Sequence, residues 1–509
     1  MKRLLSFALA ALPLLASAQI SKNVTVDSVG QLSKQIQKEE MYKISELKVS
    51  GPLNSADVKL LQQIVNRAKA NEKKGECVVT AVDISEAVFT EGKEAKATNK
   101  LPDGLFSGAK QLLKVTLPQG ITNISKSCFD GCAALPAIDI PESVTTIENQ
   151  AFQGCENLAA ITIPKNVTVI GNEAFENCKV LTSVEIPENV NDLGIQVFNG
   201  CKALASVNII GEVKKISNAA FKECEALTTI SLPKSVKAIG NDAFRDCKSL
   251  KKIDLPKDVS EIGSNAFFGC TSLGSISIPS TVKTIGNSAF EKCQSLTAFD
   301  FPSALTKIGD EAFADCSSLR EAIIPNLVKS IGNGAFEGCS VLDSVAINGF
   351  IPEIESRTFY KCNALRSITL PNTIKKIGTK AFQECTVLRS IELPVALTSI
   401  GDDAFEKCSS LESIKVPVSV TSIGSDAFYE CTMLSKVEFP VALKKIGGEA
   451  FAKCPSLRDV ILNSPAPPTI SKSTFKNVVS CSFWLPKNSK PLYMANKEWV
   501  KVYVLKEKE

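Results

Sequence analysis

Cysteine is the residue that first invites a chemical reading of this chain. It stands at position 132 and then at every twenty-third residue to 454, fifteen times, and Cys77, Cys128 and Cys481 complete a total of 18. Thiols spaced so evenly suit disulfide bridges, a metal centre, or plain packing as small buried groups. The chain has no histidine, which removes the commonest general acid–base and the commonest nitrogen ligand for a metal. Zinc would want clustered ligands in CxxC pairs or with added histidines, and the sequence offers neither.

Other reactive constellations fare no better. Serines are abundant, but no histidine is present to activate one as a nucleophile. Pairs of Asp and Glu recur because a repeat multiplies them, and each reads as a solvated face. No P-loop or dinucleotide glycine fingerprint occurs, and the recurring Ile-Gly reads as a turn. We therefore expect no catalytic residue, metal site or cofactor, and an enzyme acting on surface polymers is the weakest of three functional readings. The Asn-x-Ser/Thr triplets at Asn23, Asn123 and Asn166 matter only in a eukaryotic secretory route.

The elements that hold these cysteines follow from a strict period. Phenylalanine occupies 106, 129, 152, 175 and each twenty-third position to 451, without a register slip. The unit is L-x-x-I-x-I-P-x-x-V-x-x-I-G-x-x-A-F-x-x-C-x-x. Leu227 to Pro233, "LTTISLP", alternates apolar and small polar residues as a half-buried strand does, and its proline belongs at the strand's end. "SVKAIG" (235–240) reads as extended, and the "xxAFxxC" part as a single helical turn. The residue after Ile-Gly supports that turn: Asn149, Asn172, Asn218, Asn241, Asn287, Asp310 and Asp402 are good N-caps.

A unit this small cannot bury its own apolar face, whereas stacked units can. The expected fold is a leucine-rich-repeat-type solenoid of parallel strands, with short extended and one-turn helical segments on the other face and a cap at each end. About sixteen units at a strand spacing of about 4.8 Å extend on the order of 75 Å. Its structural ladder includes Phe175, Cys178, Phe244, Cys247, Phe290, Cys293, Phe405 and Cys408.

Stacking also constrains the thiols. Ladder cysteines sit one strand spacing apart with nearly parallel Cβ vectors, a poor arrangement for a disulfide, which wants Cβ atoms about 3.8 Å apart. The position equivalent to the cysteine in the first unit is Ala109, as suits a small buried slot. A packed thiol is the leading reading, with some disulfides or a metal site as alternatives. Cys128 occupies the alanine slot and is expected to be buried. Cys77 and Cys481 lie outside the ladder, so either would be the exposed thiol if one links to another chain. Their redox state is left open.

The start of the chain, "MKRLLSFALAALPLLASAQI", has the charged, apolar and small-residue parts of a secretory signal, with cleavage expected between Ala18 and Gln19. Its apolar run is shorter than the roughly 20 residues that span a bilayer, and no later stretch would span one. Removing Lys2 and Arg3 lowers the net charge from +4 to +2, so charge gives no reason to expect nucleic acid. The expected organisation is a signal at 1–18, an N-terminal capping region at 19–100, repeats at 101–463 and a C-terminal cap at 464–509. Within the first cap, Asp57 to Ala70 has helical periodicity, and the stretches 44–65 and 78–89 each hold a strand-like run.

The 23-residue unit resembles the leucine-rich repeat of the BspA-like family, surface proteins of host-associated bacteria that also occur in some protists. The resemblance covers about residues 101–463, and "FWLPKNSKPLYMANKEW" (483–499) is similar to the closing segment of many such proteins. It implies an exported protein, at the bacterial cell surface or secreted, that binds host matrix or cell-surface proteins or glycans without catalysis.

Function then falls to positions the fold leaves free. One column follows the central strand residue and includes Asp139, Thr162, Glu185, Asn208, Ser231, Asp254, Ser277, Asp300, Glu392 and Glu438. It forms a smooth, mildly acidic trough for an extended partner, or its small side chains simply relieve crowding on a concave sheet. The competing functional reading is a passive spacer or surface coat. The ligand, the binding face, the mode of attachment and the oligomeric state are not legible.

Overall fold

A computed structural model describes residues 19–66, 79–91, 95–501 and 504–508. The expected signal segment with Ala18, Cys77, and residues 67–70 of the expected helix lie outside them. The chain winds as a parallel-stranded solenoid. A coil runs through a main extended segment, hydrogen-bonded as a strand in most coils, then a short second strand of two residues and a run of turns. Main strands pair in parallel at a 23-residue offset, as Ser183–Ile186 does with Ser206–Ile209 and that strand with Thr229–Ser231. The second strands form their own ladder, Lys215–Ile216, Ala238–Ile239, Glu261–Ile262, Thr284–Ile285, Lys307–Ile308 and Ser330–Ile331.

Phenylalanine forms the spine of the core. The ladder rings from Phe106 to Phe451 are wholly buried. Successive centroids lie between 5.0 Å (Phe428–Phe451) and 5.7 Å (Phe198–Phe221) apart, with nearly parallel planes. Where Phe299 and Phe301 replace the usual aliphatic strand residues, they meet Phe313 edge-on at 4.7 and 5.3 Å and thicken the core locally.

The third side of each coil departs from the expected helical turn. Residues 101–463 contain no α-helix. Two residues of the segment adopt left-handed backbone, such as Glu173 (φ 57°) and Asn177 (φ 59°). That conformation costs roughly 1–2 kcal/mol per non-glycine residue, and it turns alternate N–H groups along the solenoid axis. The N–H groups of Glu173, Phe175 and Asn177 donate to the carbonyls of Ile195, Val197 and Asn199 in the next coil at 2.8, 2.9 and 2.7 Å. The turns are thus tied by a backbone ladder that offsets their strain.

The asparagine column is part of this ladder and caps nothing within its own coil. Asn149 Oδ1 accepts the N–H of Asn172 one coil later at 2.8 Å, and Asn172 Oδ1 accepts that of Ile195 at 2.8 Å. Asn218 and Asn241 repeat the pattern onto Asn241 and Ser264 at 3.0 and 2.9 Å. The adjoining glycine also has a different role from the expected turn-former. Its φ is not positive. A Cβ on Gly171 would lie 2.5 Å from the Asn149 nitrogen, and one on Gly194 2.2 Å from the Gly171 oxygen. Glycine is needed because the preceding coil passes too close for any side chain.

Both ends are closed. The strands Ile20–Thr25, Ile44–Leu53, Ala81–Asp83 and Lys114–Thr116 lead in parallel order into the main sheet. The helix Ser55–Val65 covers that end, capped by Asn54 in a capping box with Asp57. The buried Asp57 carboxylate also accepts the N–H groups of Gly30 and Leu32 at 2.6 and 3.0 Å. At the other end Phe475 stacks on Phe451 at 5.5 Å, so the aromatic spine runs one coil past residue 463. Phe483 and Trp499 then close the core, with the Trp499 indole N–H donating to the Pro468 carbonyl at 2.8 Å. Among the described residues no helix is long and apolar enough to cross a membrane.

Candidate ligand-binding surface

The thiols occupy the core. All seventeen described cysteines are free and buried, and no group of three or more Cys, Asp or Glu residues placed to hold a metal occurs among the described residues. Each ladder thiol donates to the carbonyl of the phenylalanine 26 residues earlier, as Cys178 does to Phe152 at 3.3 Å and Cys293 to Phe267 at 3.2 Å. That same carbonyl accepts an N–H within its own coil, from Cys155 to Phe152 at 3.2 Å. A thiol is therefore a packed group with one further use, a weak hydrogen bond that stitches coil to coil. Burial pushes the Cys155 and Cys454 thiols up to about 12, which removes the thiolate that redox or metal chemistry requires.

Cys481 departs from expectation. It is 2% exposed, and burial pushes its thiol up to about 12, so it is not a surface thiol open to a partner chain. The coil after Phe451 is one residue longer, which moves Val478 into the usual cysteine slot and Cys481 into the leucine slot. Cys128 is buried in the alanine slot, as expected.

The free surface is the main-strand face. Of its expected column, Asp139, Thr162, Glu185, Asn208, Ser231, Asp254, Ser277, Asp300 and Glu392 are exposed and Glu438 is half-buried. Pairing in register brings Glu185, Asn208 and Ser231 side by side on three consecutive coils, and the Asn208 amide donates to Glu185 at 3.1 Å. Together with Ser183, Ser206 and Thr229 they line a shallow hollow of about 440 Å³. Asp254 pairs with Ser277 in the same way and accepts an exposed ion pair from Lys252 at 3.1 Å. Asp139 and Thr162 lie on coils whose main segment is not hydrogen-bonded as a strand. Glu438 accepts the Asn463 amide at 3.2 Å, which explains its partial burial.

Two apolar features interrupt this polar surface. Ile323 breaks the polar column with 58% exposure, and Val395, Val418 and Val441 form an exposed stripe on the corner after the strand's proline. The 23-residue offset between these valines was the available signal. On the turn face, burial first and then the neighbouring Glu406 carboxylate raise Asp403 to about 6. It stands beside Lys380 and Asp426, away from the strand columns.

The described geometry agrees with known proteins. The model of the BspA type leucine rich repeat region matches residues 99–228, 214–343 and 352–482. A leucine-rich repeat protein from Bacteroides ovatus is similar in structure, with 26% identity and a TM-score of 0.55 over 84% of this chain and 92% of that one. A leucine rich cell surface protein from Faecalibacterium prausnitzii shares 29% identity over 58% of this chain and 83% of its own, at a TM-score of 0.38. The Treponema pallidum leucine rich repeat protein shares 33% identity over 36% of this chain and 82% of its own, at a TM-score of 0.29. No curated protein matches the chain.

Proposed function

The chain belongs to the BspA-type leucine-rich repeat family, whose members are typically protein-binding surface proteins, and from that premise we propose that it is an exported, non-enzymatic recognition protein. Its main-strand face binds an extended segment of a host matrix or cell-surface protein. The observation that carries this reading is the hollow over Ser183–Ser231, where three coils present small polar side chains in register with Glu185 among them. An extended partner lying across the coils meets a repeating row of hydrogen-bonding groups there, one coil about every 4.8 Å. The exposed acids Asp139, Asp254 and Asp300 continue the same negative sign along the column, which favours a basic segment.

The test uses the immobilised mature chain and a panel of matrix proteins, mucins and neutral glycans. Saturable binding to a protein of the panel that weakens at least about tenfold on reversing Glu185, Asp254 and Asp300 to Lys supports the proposal. The absence of any saturable ligand across the panel places the passive spacer ahead, and turnover of a glycoside or peptide restores the enzyme reading.

A further inference from the structure

We propose that a second face of the solenoid, the one built from the two-residue strands, binds a linear anionic polysaccharide. Its residues form a register-aligned column. Backbone hydrogen bonds run from Lys237 to Lys214, Ser260 to Lys237, Lys283 to Ser260, Thr306 to Lys283 and Lys329 to Thr306, between 2.9 and 3.0 Å. Lys214, Lys237, Lys283 and Lys329 therefore project from one straight row across six coils. Lys215 and Lys307 stand in the adjoining column, in the ladder of second strands. All six are exposed. On the neighbouring corner, Lys234 and Lys257 extend the positive charge.

These cations are left unneutralised. Among the described residues none of the eight ammonium groups makes an ion pair or a hydrogen bond. Several lysines elsewhere on the solenoid are matched: Lys179 meets Glu156 and Lys453 meets Glu430 at 2.8 Å, and Lys202 and Lys248 each meet Glu225 at 3.1 Å. Across the same six coils the face carries three carboxylates, Glu212, Asp258 and Glu261. The side chains between the lysines are small, as at Ser260, Thr284, Thr306 and Ser330, so nothing tall blocks a chain lying along the row.

The spacing selects the ligand class. One strand spacing is about 4.8 Å, which separates successive lysines of the main column by one or two such steps. A linear polysaccharide with a sulfate or carboxylate on every sugar or every second sugar presents charges at a comparable rise. Nucleic acid is disfavoured because these columns carry no aromatic side chain on which a base would stack. The row runs beside a different strand ladder from the one under the hollow at Ser183–Ser231, so either surface can fail its test without the other.

The experiment measures binding of the mature chain to heparin, polygalacturonate, neutral dextran and single-stranded DNA at low and high ionic strength. The expected result is saturable, salt-sensitive binding to at least one of the two anionic glycans, no binding to dextran, and weaker binding to DNA. A variant with Lys214, Lys237, Lys283 and Lys329 changed to Gln should bind at least about tenfold more weakly. A control with the ion-paired Lys179, Lys202, Lys248 and Lys453 changed to Gln carries the same charge loss and should stay within about twofold, with both variants melting as the native chain does. Equal loss in the two variants, equal affinity for DNA, or no binding to either anionic glycan overturns the proposal.

Discussion

Replacing Phe290 by alanine tests whether the stacked coils share one core. The ring is wholly buried, lies 5.3 Å from both Phe267 and Phe313, and receives Phe299 edge-on at 5.0 Å. Truncation forfeits about 1.5–3 kcal/mol of burial and about 0.5–1.5 kcal/mol for each lost ring pair. Neighbours tied into backbone ladders on both sides can refill the cavity only in part. These terms overlap, and partial relaxation holds the expected loss to the usual range for such a truncation, about 3–5 kcal/mol. Urea unfolding of the mature chain followed by circular dichroism measures it. Alkylation in native buffer then locates it, because each coil touches mainly its neighbours. Cys270, Cys293 and Cys316 should react roughly 100-fold faster or more in the variant, and Cys132 and Cys454 much less so. Phe268→Ala is the control. That half-buried ring sits between Arg245 at 4.3 Å and Lys292 at 4.7 Å, and its loss should stay near 1 kcal/mol. A Phe290→Ala loss within about 1 kcal/mol, or labelling that rises uniformly along the chain, refutes the reasoning.

Three other outcomes are expected. Gly286→Ala should destabilise the chain by about 1–3 kcal/mol, because the new Cβ would lie 2.5 Å from the Gly263 carbonyl carbon and the Ser264 nitrogen; a melting temperature equal to the native one contradicts the close-approach account. Asn241→Ala removes the acceptor for the Ser264 N–H at 2.9 Å and should cost about 0.5–1.5 kcal/mol in urea unfolding. Asn241→Asp keeps that acceptor and should recover most of it. Asp403 has a folded pKa raised from 3.8 to about 6, so the folded state holds its proton more tightly and stability falls as pH rises from about 4 to 6. Asp403→Asn should therefore gain in melting temperature at pH 7 relative to pH 4, and an equal change at both rejects the burial of that carboxyl.

The period made the architecture legible. An unbroken Phe and Cys register requires equivalent residues to stack, and alternation in "LTTISLP" marks which side of the main strand is buried. What stayed hidden were contacts that bridge coils. Asn172 has the same composition signature whether it caps its own turn or reaches the next coil, because both tasks ask for a short acceptor. Left-handed backbone in the column of Glu173 and Asp403 leaves little compositional trace, since the inter-coil N–H bonds stabilise it and the side chain does not, whereas the column of Asn177 and Lys407 holds glycine in six coils, from Gly108 to Gly338. The glycine of Ile-Gly is explained by a neighbour 23 residues away, which local turn chemistry cannot reveal. The extra residue between Phe451 and Phe475 hid the last rung of the aromatic spine and left Cys481 outside the ladder as a candidate for exposure. The candidate column was readable because a strand's outward positions follow from its inward ones. The lysine row beside the second strands was readable too, but these two-residue strands show no alternation to draw attention to it.

The most direct test of the recognition account is carboxylate footprinting. The mature chain, free and bound to a protein partner from the matrix panel, is modified with a carbodiimide and a small amine, and each site is quantified by mass spectrometry. The account predicts protection centred on Glu185 and extending to Asp139, Asp254 or Asp300, with Asp402, Glu430 and the other turn-face acids labelled as before. Protection confined to the turn face, or none in a saturated complex, would contradict the assignment of recognition to the main-strand face.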